Sequence, residues 1–170
     1  MDAKRESKAA PMQNRTTMER KSDRELVTTR TFNAPARIVF EAWTRPELFK
    51  RWWAPKSMGM SLHSCEMDVR AGGKYRLVFN ENPDMAFYGT YREVTPHSRL
   101  TWTNEEGGPD GPVTTVTLEE KDGKTLLVLT ELYPSKEALD VAGTGAAEMM
   151  GEVFTQLDEL LVTLDASPRV

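Results

Sequence analysis

The sequence predicts an α+β protein in which a curved antiparallel sheet of seven strands wraps around a long C-terminal helix. Three observations predict this fold: short apolar segments separated by turn residues, two prolines placed to begin short helices after the first strand, and a helical apolar stripe near the C-terminus. Because the connections between the later strands are short, we expect strands that follow each other in the chain to pair in antiparallel fashion.

The N-terminal segment differs in composition from the rest of the 170-residue chain. Residues 1–23 contain no Val, Ile, Leu, Phe, Trp or Tyr. Such a segment cannot bury enough apolar surface to offset the entropy lost on ordering. We therefore predict a disordered tail over residues 1–23, one domain over residues 24–165, and a short second tail over residues 166–170.

Charge and hydropathy exclude several classes of function. The net charge of the chain is −4, whereas its first 24 residues alone carry seven basic and four acidic side chains. The predicted domain is therefore acidic, which argues against a nucleic-acid partner. No run of about 18 apolar residues is present, so we predict no membrane segment. The tail lacks the apolar stretch of a secretory signal, and the single Cys65 fits a reducing compartment, so we expect a cytoplasmic location.

A strand and two short helices are predicted in the first part of the domain. Residues 24–33, RELVTTRTFN, read as a strand because they are rich in β-branched residues. Pro35 stands where helices begin, and apolar residues recur at helical spacing through ARIVFEAWT. Pro46 begins a second helix, PELFKRWW, which Pro55 ends.

Six further strands and two further helices complete the prediction. The short segment SKEALDVA is helical in pattern, and an amphipathic helix of about 20 residues follows it. The apolar stripe of that last helix consists of Met150, Val153, Leu157, Leu161 and Leu164. The six strands are bounded by Gly, Pro, Asn and Asp. They are predicted over residues 60–68, 74–80, 86–94, 99–105, 113–120 and 125–133.

The chain resembles the activator of Hsp90 ATPase homologue-like family, within the START-like (SRPBCC) helix-grip superfamily. The resemblance covers roughly residues 24 to 164. It is carried by FNAPARIVFEAWTRPELFKRWWAP, DVRAGGKYRL, YGTYREVTPHSRLTWT, TTVTLEEKDGKTLLVLTE and GEVFTQLDELL, in that order. It implies a helix-grip domain with a deep, mostly apolar cavity between the sheet and the long helix. Superfamily members include carriers, cyclases, hydroxylase components and a co-chaperone domain, so the fold alone does not name a function.

Aromatic side chains, two methionines, one leucine and one glutamate are the candidate cavity residues. Tyrosine combines an apolar ring with a polar tip, and methionine adapts its shape to different ligands. Glu131 lies in the strongly apolar segment LLVLTELY, where a carboxylate is either paired, at a rim, or raised in pKa and able to act as an acid or base. The predicted set is Trp52, Trp53, Met60, Tyr75, Leu77, Phe79, Tyr88, Trp102, Glu131, Met150 and Phe154.

Trp52 and Trp53 are predicted to have different roles. Adjacent residues of a helix point about 100° apart, so the two rings cannot face the same way. We expect one ring in the core and the other at the cavity entrance, with Trp53 at the entrance because it is nearer the helix end. The alternative is that both rings fill the core.

No catalytic, metal or cofactor site is predicted. His63 and Cys65 alternate along one strand face, but two ligands are too few for a protein zinc site. The sequence contains no phosphate-binding loop, dinucleotide fingerprint, nucleophile elbow or zinc-protease motif.

Three functions remain open from the sequence. The first is a binding protein for a small apolar or aromatic molecule. The second is a cyclase- or hydrolase-type enzyme that uses the same cavity, with Glu131, Tyr75 or Tyr88 as acid–base groups. The third, implied by the resemblance, is a co-chaperone whose partner is an Hsp90-type ATPase. In each case we expect a monomer or a weak dimer, with neither nucleic acid nor membrane as partner.

Overall fold

Eight strands form one antiparallel sheet in the computed structural model, which describes residues 15–106, 108, 110–143 and 146–166. The order across the sheet is β1-β2-β8-β7-β6-β5-β4-β3, so only β2 and β8 are neighbours in space without being neighbours in the chain. The strands are β1 Thr17–Arg20, β2 Glu25–Phe32, β3 Leu62–Met67, β4 Lys74–Phe79, β5 Ala86–Thr95, β6 Arg99–Thr103, β7 Val113–Lys121 and β8 Lys124–Leu132.

Four α-helices accompany the sheet within the residues that the structure describes. Two lie between β2 and β3, and two follow β8, as the proline positions and the apolar stripe predict. None of the helices in the described part of the chain is both long and apolar enough to cross a membrane. The helices are α1 Ala36–Thr44, α2 Pro46–Phe49, α3 Lys136–Ala142 and α4 Ala146–Ala166.

The long helix α4 buries one face against the sheet. Val153, Leu157 and Leu161 are each at most 2% exposed, and they belong to the same core cluster as residues of β2, β7 and β8. Phe154 of α4 meets Phe32 of β2 edge to face, with ring centroids 5.6 Å apart. The polar side of α4, including Thr155 and Glu159, is exposed. The predicted α+β helix-grip fold is therefore confirmed.

The first strand corrects the predicted strand number from seven to eight. Thr17–Arg20 lies inside the segment predicted to be disordered, yet it pairs with β2 from Thr17↔Thr29 to Arg20↔Leu26. An edge strand needs backbone partners on one side only, so it forms here with Met18 as its one large apolar residue, packed on Leu26 and its neighbours. Thr16 adds a contact, because its Oγ1 accepts a hydrogen bond from Arg30 Nη1 at 2.8 Å. Residues 1–14 of the predicted N-terminal tail and residues 167–170 of the predicted C-terminal tail lie outside the described residues.

The second helix is shorter than the sequence predicts. It ends at Phe49 rather than at Trp53, and the chain continues in turns. The buried side chain of Gln156 on α4 binds these turns: its Nε2 donates to the carbonyl oxygens of Trp52 and Ala54 at 2.9 and 2.8 Å. Its Oε1 accepts from the backbone N–H of Lys56 at 3.0 Å. These hydrogen bonds satisfy backbone groups of the segment that follows α2.

Replacement of Leu157 by Ala tests the packing of α4. Leu157 is fully buried, so Leu157→Ala should lower the free energy of unfolding by about 2–5 kcal/mol through lost burial and a residual cavity. Glu159→Ala on the exposed face is the matched control and should cost less than about 0.5 kcal/mol. Urea titration of both variants measures the difference, and equal losses would show that the buried face is misassigned.

Two N-terminal truncations test β1. A chain that begins at residue 22 lacks β1 and the Thr16 acceptor of Arg30, whereas a chain that begins at residue 15 keeps both. The shorter chain should be less stable than the longer one by about 1–3 kcal/mol, because a buried guanidinium loses a hydrogen-bond acceptor. Thermal and urea unfolding of the pair give this difference directly. Identical stabilities would mean that β1 does not contribute to the fold.

Candidate ligand-binding cavity

A cavity of about 450 Å³ lies between the inner face of the sheet, helix α4 and the segment that contains α1 and α2. Most of its lining is aromatic or aliphatic, and its polar groups come from a few residues of β4, β8 and the loop after β6. The lining residues are Trp43, Phe49, Trp53, Pro55, Met60, Met67, Tyr75, Leu77, Phe79, Phe87, Tyr91, Trp102, Asn104, Glu106, Pro112, Glu131, Tyr133, Ala142, Met149, Met150 and Val153.

Trp43 is the centre of the aromatic wall. It is near the C-terminal end of α1, and its ring meets Trp53 at a centroid distance of 5.6 Å and Trp102 of β6 at 5.9 Å. Phe49 of α2 stacks on Trp53 at 5.0 Å. Contacts of this kind between aromatic rings hold the wall together beyond the area they bury. The proline-initiated helices α1 and α2 thus bring most of the tryptophans to one side of the cavity.

The two adjacent tryptophans differ in burial. Trp52 is fully buried, its Nε1 donates to the carbonyl oxygen of Ala42 at 3.0 Å, and it does not line the cavity. Trp53 is half-buried and lines the cavity. The two rings are nearly perpendicular, at 88°. Trp52 thus lies in the core and Trp53 in the cavity wall, and the role of Trp53 at the cavity entrance stays a prediction.

Eight of the eleven predicted cavity residues line the cavity, and three do not. Trp52 and Phe154 lie behind the lining, where Phe154 contacts Trp43 and Trp52. Tyr88 is 42% exposed on the outer face of β5. The eight that line it are Trp53, Met60, Tyr75, Leu77, Phe79, Trp102, Glu131 and Met150.

Strand alternation explains the position of Tyr88. Phe87 and Tyr91 share one face of β5 and line the cavity, so Tyr88 faces outward. The pairing of β5 with β6 shifts between Tyr91 and Glu93, so one residue of β5 has no direct partner. This β-bulge follows Tyr88 in the chain and moves only the side chains after it to the opposite face. No signal in the sequence marks the bulge.

The sequence held a signal for some of the lining residues that were not predicted, but not for others. Trp43 and Phe49 belong to the predicted helical stripes, but their position above the cavity depends on how α1 and α2 pack. Met67, Met149 and the Tyr133 ring were all within predicted elements. Asn104, Glu106 and Pro112 lie in the connection between β6 and β7, and nothing in the pattern of that connection indicated that it borders the cavity.

A hydrogen-bonded polar group forms one part of the cavity wall. The Tyr75 hydroxyl donates to the carbonyl oxygen of Thr103 at 2.8 Å and lies 3.3 Å from Asn104 Oδ1. Asn104 Nδ2 in turn donates to Thr114 Oγ1 at 3.0 Å. Gly89 makes the reach of Tyr75 possible, because a Cβ at Gly89 would lie 1.8 Å from Thr103 O and 2.9 Å from Tyr75 Oη. Burial raises the pKa of Tyr75, so its hydroxyl stays protonated.

Glu131 adds a carboxylate to the same wall. It lies on β8 directly across from Thr114 of β7, and the strand on its other side places Leu26 opposite it. Loss of solvent raises the pKa of Glu131 to about 7, and a hydrogen bond from Tyr133 lowers it only in part. The described residues contain no ion pair to Glu131. Near neutral pH this group can therefore either accept or donate a proton inside the cavity.

The described residues offer no cluster of three or more His, Cys, Asp or Glu side chains placed to hold a metal ion. His63 and Cys65 do not share a face, because the pairing of β3 with β4 shifts between Leu62 and Ser64. His63 is exposed, whereas Cys65 is half-buried with its Sγ 3.3 Å from Met67 Sδ. Burial raises the pKa of Cys65 to about 11, so its thiol is a poor nucleophile at neutral pH.

The raised pKa of Glu131 predicts a pH-dependent stability. The folded chain binds this proton more tightly than the unfolded chain, so stability is lost as the pH rises from about 4.5 to about 7. Glu131→Gln removes this penalty and should gain up to about 3 kcal/mol of stability relative to the parent chain between pH 5 and pH 8.

Urea titrations of both chains at the two pH values measure this gain. Glu119→Gln, at an exposed position on the neighbouring β7, is the control and should show no such change. A constant difference between the parent chain and Glu131→Gln would mean that Glu131 is ionised at the same pH in both states.

Solved structures of bacterial proteins share this fold. A Rhodobacter sphaeroides protein is 25% identical, with a TM-score of 0.78, and the match covers 88% of this chain and 99% of that one. Protein NE0264 from Nitrosomonas europaea is also 25% identical, with a TM-score of 0.76 and coverage of 87% and 100%. Protein Ms6760 from Mycobacterium smegmatis, at 24% identity and a TM-score of 0.71, covers 88% of this chain and 99% of its own and supports the fold alone.

A comparison with curated proteins finds no match. The family model for the Activator of Hsp90 ATPase homolog 1-like protein matches residues 33–162, from the residue after β2 to the last turns of α4. This segment includes α1, α2, α3, most of α4 and every described strand except β1 and β2. Because the match spans most of the chain, the protein belongs to the Activator of Hsp90 ATPase homolog 1-like family.

Proposed function

We propose that this protein binds a small apolar or aromatic molecule in the cavity beneath α4, and that it does so in the cytoplasm. The observation that carries the proposal is a cavity of about 450 Å³ with a mostly apolar lining and a few polar groups on one wall. Ligand sites have volumes of roughly 300–1,000 Å³ and this same composition. The single cysteine, Cys65, supports a reducing compartment.

Exposed apolar residues at the cavity rim support an opening through which a ligand can enter. Phe87 and Met149 both line the cavity and are 44% and 41% exposed. Apolar side chains with this much exposure border an opening rather than a sealed void. Methionines at the rim and in the lining can adjust their shape to a ligand, which suits a site that accepts molecules of different outline.

A second function, an acid–base enzyme, is favoured by one observation. Glu131 has a pKa near neutral and lies beside Tyr133 in the cavity, which is the condition for proton transfer to a bound molecule. Turnover with a pH profile centred near that pKa, lost in Glu131→Gln, would distinguish an enzyme from a carrier. No contact among the described residues favours the co-chaperone role, which would use a protein surface rather than the cavity.

Paired tryptophan variants test the binding proposal. N-phenyl-1-naphthylamine, a neutral fluorophore that brightens in apolar sites, is the probe. Trp53→Ala removes part of the cavity wall, so it should weaken probe affinity about fivefold or more while costing less stability than Trp52→Ala. Trp52→Ala removes a fully buried ring and should cost about 3–5 kcal/mol.

Fluorescence titration gives the affinities, and urea unfolding gives the stabilities. Both variants are titrated where unfolding shows them to be folded, so that lost binding is not confused with lost structure. The proposal predicts that binding falls mainly in the Trp53 variant. Absence of probe binding to the parent chain, or equal affinity in the parent and Trp53→Ala, would contradict a ligand site in this cavity.

A further inference from the structure

The charges in the cavity are all of one sign. Its described lining includes two carboxyl groups, Glu131 and Glu106, and no Lys, Arg or His. The other polar groups of the lining residues are the Tyr75, Tyr91 and Tyr133 hydroxyls, the Asn104 amide and the indole N–H groups of Trp43, Trp53 and Trp102, of which the buried Trp43 Nε1 has no hydrogen-bond partner. An apolar cavity that carries carboxylates without a cation leaves their negative charge unbalanced. A positively charged ligand would balance it.

Of the two carboxyl groups, Glu131 has the greater need of a positively charged partner. The residues directly across from it on the neighbouring strands are uncharged: Leu26 from β2 and Thr114 from β7. The residues that α4 contributes to the cavity lining, Met149, Met150 and Val153, are uncharged as well. The titratable groups that share its cavity are Glu106 and the three tyrosines, and none of these is a cation. A buried carboxylate is normally paired with a cation, because an unpaired one loses its hydration without compensation.

Glu106 lies at the opening rather than deep in the cavity. Its side chain is exposed, and its Oε1 accepts a hydrogen bond from the backbone N–H of Tyr88 at 3.1 Å. One oxygen is therefore held by the sheet edge, which fixes the carboxylate at the rim. A cationic ligand would meet this group first and Glu131 afterwards.

We propose that the ligand of this cavity is an apolar or aromatic amine whose protonated nitrogen pairs with the Glu131 carboxylate. This inference rests on the proposed function and adds the chemical class of the ligand. The ammonium supplies the missing positive charge, and its N–H groups donate to the carboxylate, a charge-assisted hydrogen bond of the strong kind. The apolar part of the amine occupies the space bounded by Trp43, Trp53 and Trp102.

The aromatic lining reinforces this choice of ligand. The faces of tryptophan and tyrosine rings attract cations as well as apolar groups, so Trp102 and Tyr91 are compatible with an ammonium nearby. An anionic ligand, such as a fatty or aromatic acid, would instead bring a second negative charge next to Glu131 and Glu106. Repulsion between like charges in a poorly solvated site disfavours that class.

Three probes with the same ring test the inference. Tryptamine carries an ammonium, tryptophol carries a hydroxyl in the same place, and indole-3-acetate carries a carboxylate. Calorimetric titration into the full chain at about pH 8, where Glu131 is mostly ionised and tryptamine is still protonated, should give an affinity for tryptamine about tenfold or more above that for tryptophol. Indole-3-acetate should bind most weakly.

The variant Glu131→Gln tests whether this preference comes from the assigned carboxylate. It keeps the shape of the side chain and removes its charge, so the preference for tryptamine over tryptophol should fall to within about twofold. Glu119→Gln, which leaves the cavity unchanged, is the matched control and should keep the full preference. Urea unfolding of both variants establishes that they are folded under the titration conditions.

The pH dependence gives a second readout. Affinity for tryptamine should rise as the pH increases from about 6 to about 8, because Glu131 loses its proton in this range while the amine keeps its own. Tryptophol affinity should not show this rise, and Glu131→Gln should abolish it for tryptamine. Glu106→Gln should lower tryptamine affinity by a smaller factor than Glu131→Gln.

Failure of this inference is distinguishable from failure of the proposed function. If tryptophol binds as tightly as tryptamine, or indole-3-acetate binds best, the amine inference is overturned while the apolar site stands. A tryptamine preference that persists in Glu131→Gln also overturns it. If none of the three probes and no N-phenyl-1-naphthylamine binds, both the proposed function and the amine inference are overturned.

Discussion

The attachment of one face of α4 to the concave side of the sheet is the interaction on which the other features depend. Val153, Leu157 and Leu161 bury the helix against the sheet strands, and Gln156 on the same helix binds the backbone of residues 52–56. Glu152 continues this attachment by accepting hydrogen bonds from the backbone N–H and the hydroxyl of Ser57. One helix thus holds the sheet and the tryptophan-bearing segment in a fixed relation, and the cavity is the space left between them.

The cavity lowers the stability of the fold, and the packing around it offsets this loss. Atoms that line a void lose dispersion contacts, and a carboxyl group at its wall loses hydration. Behind the wall, Trp52 and Phe154 are fully buried and in contact with Trp43, and the Trp52 indole N–H has its hydrogen-bond acceptor. The core is therefore dense where it supports the cavity and open where a ligand would bind. A carboxylate without a cation at the cavity wall is expected in a binding site rather than in a core.

Periodicity predicted the elements of this fold, because apolar spacing depends on which face of a strand or helix is buried. It could not predict the bulges between Tyr91 and Glu93 and between Leu62 and Ser64, the second of which takes His63 off the face of Cys65. It also did not show which face of β5 points inward, so Tyr88 was expected in the cavity but lies on the outer face. Strand β1 escaped prediction because it forms mainly through backbone pairing and the Thr16–Arg30 hydrogen bond, with Met18 as its one apolar contact. The turns after α2 are bound by Gln156, which is about a hundred residues away in the chain.

The central claim, that the space beneath α4 is a binding site, is tested most directly by the methionine methyl signals. Chains labelled with ¹³C in the methionine methyl groups are titrated with N-phenyl-1-naphthylamine and followed by NMR. Met58 is 59% exposed and outside the lining, so it is the internal control. The account predicts saturable shifts, with Met58 unmoved, for the signals of Met60, Met67, Met149 and Met150. Equal shifts of all these signals, or shifts of Met58 without those of the lining methionines, would contradict it.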